Sequence, residues 1–118
     1  MDNPNKPELP RVGNQNSDVI TAEHRWTETF IVNDGGISLY PASGEKFTRV
    51  GIQNPTYDDS EADNLVDIFI GGPSVTSTGS TRGRILSPGQ DRDEDTTLAP
   101  HALCKTGETA VITVEFSL

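Results

Sequence analysis

Apolar side chains in this chain recur at every second position, in short runs separated by glycine, proline and asparagine. The clearest run is 108–118, where Ala110, Ile112, Val114, Phe116 and Leu118 alternate with Val111, Thr113 and Glu115. Successive side chains of a strand point to opposite faces, so this pattern predicts a strand with one buried face. Residues 24–32 alternate and then become continuously apolar at Phe30, Ile31 and Val32, which predicts a second strand. Asn33-Asp-Gly-Gly36 follows as a hairpin signal, because glycine and Asn/Asp supply positive φ, and 37–40 is expected to return as the partner strand.

Further along, Ser43-Gly-Glu45 predicts a turn, and 46–53 a strand with Thr48, Val50 and Ile52 on one face, broken by Asn54-Pro55. In 65–70, Val66, Ile68 and Ile70 share one face and Leu65, Asp67 and Phe69 the other. Gly71, Gly72 and Pro73 stop that strand. Ile85-Leu86 is a second apolar pair, closed by Pro88-Gly89 in the central positions of a type II turn. Residues 96–104 read as a weaker strand interrupted by Pro100, and no segment has a 3.6-residue period. About seven strands joined by short turns predict an all-β domain, a single β-sandwich or jelly-roll-like barrel. Its expected extent is 19–118. Residues 1–18, with Pro4, Pro7 and Pro10 and few apolar side chains, are expected to form an extended N-terminal arm.

Ile68-Phe-Ile-Gly-Gly-Pro-Ser-Val-Thr-Ser-Thr-Gly79, followed by Ile85-Leu-Ser-Pro-Gly-Gln90, resembles an element of small β-rich structural proteins, of decoration or cement type, in tailed-bacteriophage virions. That element runs strand, glycine with a Val-Thr or Val-Ser pair, a Gly-containing loop, then Leu-x-Pro-Gly and further strands. The resemblance spans residues 65–118. The chain departs from it by the insertion Thr81-Arg-Gly-Arg84 and by the acidic run Asp91 to Asp95. It implies a structural virion protein without fixing its place in the particle.

Composition narrows the function classes. Only 32% of the 118 residues are hydrophobic, so one thin core is expected, supplemented by oligomerisation or docking. A net charge of −9 argues against nucleic acid and against an anionic membrane as partners. Cys104 is the single cysteine, which excludes an intrachain disulfide, and its apolar surroundings predict a small buried residue. The polar start lacks the apolar stretch of a signal peptide, and no segment approaches membrane-spanning length, so synthesis in the host cytoplasm is expected.

Candidate chemistry is sparse. Asp91-Arg-Asp-Glu-Asp95 superficially matches a calcium loop, but Thr96 stands where the turn glycine belongs and Ala102 where the bidentate Glu belongs. Asp59 to Asp63 fails likewise, with Asn64 and Ile70 at those positions. Both are expected to be solvated acidic loops. His24 and His101 belong to no ligand set, and no Gly-x-Ser-x-Gly elbow is present. No catalytic residue, metal ligand or cofactor is therefore expected.

The sharper candidates concern association. Ser77 to Arg84 reads as a flexible loop that carries Arg82 and Arg84 in an acidic chain, suited to forked hydrogen bonds with carboxylates of an adjacent subunit. In the arm, Leu9 and Val12 are candidate anchors and Arg11 a charge contact. The expected function is a non-enzymatic capsid decoration protein on the virion exterior, contacting the major capsid protein or other virion subunits and self-associating, as a homotrimer. The alternatives are a tail, neck or fibre-associated subunit, or a stand-alone module that binds a cell-surface protein or glycan.

Overall fold

The computed structural model describes residues 24–57 and 62–118. Leu9, Arg11 and Val12, the arm to which they belong, and the acidic residues Asp58, Asp59 and Glu61 lie outside the described residues.

Eight strands occur among them: β1 Arg25–Val32, β2 Ile37–Ser38, β3 Arg49–Gln53, β4 Ile68–Gly71, β5 Arg84–Leu86, β6 Asp91–Asp95, β7 His101–Leu103 and β8 Ala110–Ser117, with one 3-10 turn at Gly79–Thr81. They form two four-stranded antiparallel sheets, in the orders β1-β8-β3-β6 and β2-β7-β4-β5, packed as a β-sandwich. The predicted sandwich is thus the observed fold.

The alternation in β8 sets the core. Ala110, Ile112, Val114 and Phe116 are all buried, and they stand opposite Val32, Phe30, Glu28 and Trp26 of β1. On the other flank, Val114 and Phe116 face Ile52 and Val50 of β3. Phe116 is the centre of the aromatic packing: Trp26 stacks on it at 5.4 Å, Phe47 tilts against it at 5.2 Å and Phe30 meets it edge-on at 6.5 Å. The second sheet contributes Ile68, Ile70, Leu86, Ala102 and, just beyond β7, Cys104. Phe69 points the other way, where it lies in register with Leu103 and Ile85 on the outer face, and it is buried there too.

Four expectations are corrected. Asp91 to Asp95 is not a loop but strand β6, hydrogen-bonded along β3 from Gln53↔Asp91 to Arg49↔Asp95. The Asn33–Gly36 turn forms, with Gly36 at φ 81° and its N–H donating to Asn33 O at 3.3 Å. It does not make a hairpin, because β1 pairs with β8 while β2 pairs with β7 in the other sheet. The strand expected at 65–70 starts at Ile68, leaving Leu65 out in solvent. The one expected over 96–104 shortens to His101–Leu103, since Pro100 has no N–H for a ladder.

The chain crosses between the two sheets six times, and two of these crossings join strands that end both sheets. One of the two is the β1–β2 turn. The other is the turn Ser87-Pro-Gly-Gln90, with Gly89 at φ 89° and Gln90 N–H donating to Ser87 O at 3.0 Å, as expected of type II. Strands β5 and β6, which it links, are the last strands of their respective sheets.

Candidate functional site

Three inner rows end in charge where β5 and β6 lie, whereas the Ile68–Leu86 row of the second sheet stays apolar to its edge. In the first sheet the inner row Trp26–Phe116–Val50 ends on Glu94, and the row Glu28–Val114–Ile52 ends on Arg92. In the second sheet the row Ile37–Ala102–Ile70 ends on Arg84. Beside Arg84, Arg92 and Glu94, apolar side chains therefore do not fill the space between the sheets. An open cleft of about 720 Å³ lies there, with Ile70, Val75, Leu98, Ala99 and Pro100 supplying apolar walls and Arg82, Arg84, Arg92 and Glu94 the charge.

The cleft's charge is mostly cationic. Arg92 donates from Nε to Glu94 Oε2 at 2.6 Å, with the two side chains 22% and 28% exposed, so this pair is partly withdrawn from water and largely neutral together. Arg82 and Arg84 have no carboxylate within ion-pair distance among the described residues. In a chain of net charge −9, two uncompensated guanidinium groups on one cleft form a local site for anionic groups.

The loop that presents them is knit together by its own hydrogen bonds. Val75 N–H donates to Gly72 O at 3.0 Å, Gly83 N–H to Thr76 O at 2.9 Å and Thr76 N–H to Thr81 O at 3.1 Å. The hydroxyls of Thr76 and Thr81 lie 2.8 Å apart. Gly83 is required by close approach: a Cβ there would fall 2.8 Å from both the N and O of Ile70 and 2.5 Å from Val75 Cγ2. The Val75 methyl seals the loop against β4, which fixes where Arg82 and Arg84 emerge.

Sequence reasoning named Arg82 and Arg84, and both line the cleft. It missed Arg92 and Glu94 by taking them for part of a solvated loop. A strand whose inner and outer positions are both charged shows no hydrophobic period, and only its pairing with β3 reveals it.

The two histidines lie apart, His24 just before β1 of the first sheet and His101 in the second. His24 is exposed, its Nε2 lies 2.8 Å from Glu45 Oε1, and its ring is 5.1 Å from that of Trp26. His101 is in β7, with Nδ1 buried and without a hydrogen-bond partner among the described residues. Also among the described residues, no group of three or more His, Cys, Asp or Glu could hold a metal ion. No helix there is long and apolar enough to cross a membrane. In comparison with known proteins, no family model matches this chain, and no curated protein matches it either.

Proposed function

We propose that this chain is a non-enzymatic structural protein of a tailed-bacteriophage particle, a capsid decoration protein that bridges shell subunits on the virion exterior. The observation that carries the reading is the β5–β6 cleft, where Arg82 and Arg84 stand without carboxylate partners among the described residues of an acidic chain. Such a site suits an acidic, partly apolar segment of a neighbouring subunit. The guanidinium forks would take its carboxylates and the Val75, Leu98 and Pro100 surface its apolar side chains. The resemblance of residues 65–118 to virion structural proteins supports the same reading. Net charge disfavours nucleic acid and membrane lipid as partners.

The mechanism is associative. A protein that binds the assembled shell and not its dissociated subunits stabilises the shell by mass action, by about 2.7 kcal/mol per site at a free concentration one hundred times the dissociation constant. Cosedimentation with mature, tailless shells tests the proposal. Saturation at a ratio set by the shell lattice, weakened by Arg82→Glu/Arg84→Glu, is the expected result. Binding at a few copies per shell would instead place the chain at the neck or tail. No binding to shells, with affinity for whole cells, would replace the proposal by a cell-surface module.

A further inference from the structure

We infer that the outer face of the first sheet is a binding site for a neutral oligosaccharide, seated over Gly51 in a trough between Glu115 and Asp93. This face is distinct from the Arg82–Arg84 cleft, and a sugar bound there needs nothing of that cleft's role in a particle.

Gly51 stands in the middle of β3, paired without a bulge to Glu115 of β8 on one side and to Asp93 of β6 on the other. Glycine weakens a strand interior, and where it occurs it marks a bulge, a sharp bend, or the close approach of a ligand or another backbone. Gly51 does not have the positive φ that would require a glycine. A Cβ there would have side-chain atoms as its nearest neighbours, Asp93 Oδ1 at 2.7 Å, then Asp93 Cγ and Glu115 Cβ, each at 3.9 Å. Asp93 is exposed and can swing aside. Neither backbone conformation nor packing therefore demands glycine at this place. Its effect is to lower the floor of the sheet between two carboxylates.

Three adjoining hollows of about 370, 310 and 390 Å³ follow the strands over this floor. The first and second share Gly51, Asp93 and Glu115, and the second and third share Gln53 and Thr113. Together they run beside β8 from Ser117 to Val111, about 20 Å at the rise of a strand, which is room for a short oligosaccharide.

The lining selects the ligand. Across the sheet the outer rows are Arg25–Ser117–Arg49–Asp95, Thr27–Glu115–Gly51–Asp93 and Thr29–Thr113–Gln53–Asp91, with no apolar side chain in any of them. A protein interface has a core depleted in charge and rich in aromatic residues, and a site for an apolar ligand has apolar walls; these rows offer neither. A sugar hydroxyl donates and accepts at once, so it needs both kinds of group within reach. Here the carboxylates accept, the guanidinium groups donate, and the threonine hydroxyls and the Gln53 amide do both. Among the described residues, the side chains of Thr27, Thr29, Thr113 and Gln53 have no hydrogen-bond partner in the protein. The ion pairs Arg25–Glu115 at 3.9 Å and Arg49–Asp93 at 3.5 Å are exposed and weak, and yield readily to a ligand. At the far end Tyr57, 57% exposed, presents an aromatic ring to the C–H face of a sugar. Asp91, Asp93, Asp95 and Glu115 outweigh Arg25 and Arg49 in charge, which disfavours acidic sugars and leaves neutral ones.

Isothermal titration calorimetry of the full chain with cello-, malto- and N-acetylchito-oligosaccharides, from disaccharide to hexasaccharide, gives the test. At least one series is expected to bind saturably, with affinity that rises with length and levels off once the trough is full. Gly51→Thr suits a strand and fills the floor, so it should abolish binding while leaving far-ultraviolet circular dichroism unchanged. Glu115→Ala should weaken binding on the order of tenfold, the worth of one charged hydrogen bond. Arg82→Glu/Arg84→Glu should bind the same series as the unaltered chain does. No saturable binding in any series overturns the inference, as does binding that survives Gly51→Thr, or tighter binding of oligolysine or heparin fragments than of every neutral series. A chain that coats shells but binds no sugar loses this site and keeps the proposed function. A chain that binds sugar through Gly51 but ignores shells does the reverse.

Discussion

The side-chain amides of Asn54 and Asn64 are joined by a hydrogen bond inside the protein, Asn64 Nδ2 donating to Asn54 Oδ1 at 2.7 Å. Asn54 is fully buried, and its Nδ2 also donates to Val66 O at 2.9 Å and Leu86 O at 2.8 Å. Asn64 adds a bond from Nδ2 to Pro55 O and accepts from Val66 N–H at 3.1 Å. The pair thus satisfies the carbonyl of Leu86 at the end of β5 and those of Pro55 and Val66 between β3 and β4. Removing Asn54 strands one buried and one part-buried carbonyl and its partner amide, a buried unsatisfied group costing about 1–3 kcal/mol. Asn54→Ala is expected to lower stability by about 3 kcal/mol and Asn64→Ala by about 2. The double variant should lose about 1 kcal/mol less than the sum, because both changes break one shared bond. Urea unfolding of the three variants measures this, and strict additivity would show that the two amides act independently.

The glycine that seals the Arg82–Arg84 loop gives a second expectation. Gly83→Ala forces a methyl group onto the backbone of Ile70 and the Val75 side chain, and should cost about 2–3 kcal/mol as an overpacking change. Gly79, in the same loop, has φ 80° but open space around it, so Gly79→Ala should cost only about 1 kcal/mol, from backbone strain alone. Comparing their urea midpoints separates steric contact from conformational freedom. Equal losses would mean that the loop yields at Gly83.

These two sites mark where sequence reading ran out. Strand β8 was legible because one face is apolar and the other meets water, and β1 was legible for the same reason up to Val32. The Asn33–Gly36 turn was legible as a turn, but its topology was not. Whether β2 stays beside β1 depends on residues far along the chain: Ala110 and Val111 take the place beside β1, and Cys104 N–H donates to Asn33 O at 3.0 Å. Arg82 and Arg84 stood out by charge alone. That they share a cleft with Arg92 and Glu94 depends on β5 and β6 both ending their sheets on the same side, which no local pattern encodes. Asn54 read as a strand breaker before proline, and the partner that makes it a core residue lies ten positions away.

Cys104 yields a prediction with a definite sign. Its Sγ donates to Val32 O at 3.3 Å and is sealed in the core. Burial, reinforced by the carboxylates of Glu108 and Asp34, pushes the thiol up from 9.0 to about 11. Between those values the unfolded chain loses the thiol proton and the folded one keeps it. The stability contributed is therefore fully present below pH 9 and is lost as pH rises through about 11. Urea midpoints should fall between pH 9 and 11 in the unaltered chain and fall less in Cys104→Ala. At pH 8, modification by a thiol reagent should proceed only at the rate of unfolding. Fast labelling of the folded protein would contradict this placement.

Glu28 gives the opposite limb of the pH profile. It lies on the inner face of β1, opposite Val114. Its Oε1 accepts from Ala42 N–H at 2.7 Å, and its Oε2 from the Trp26 indole N–H at 3.0 Å. Desolvation pushes its pKa up, but the bonds from Ala42, Trp26 and Ser43 together outweigh it and hold the carboxyl below its ordinary 4.5. Protonation weakens all of those bonds, so the stability they contribute is present above pH 4.5 and is lost as pH falls through the lower, folded value. Trp26 is the single tryptophan, so its emission reports directly on this contact. Acid titration of the folded chain should shift that emission before the sandwich unfolds, and Glu28→Gln should abolish the early shift while flattening the fall in stability below pH 4.5. An unchanged acid limb in Glu28→Gln would mean that other carboxylates, and not the Trp26–Glu28–Ala42 bridge, govern acid unfolding.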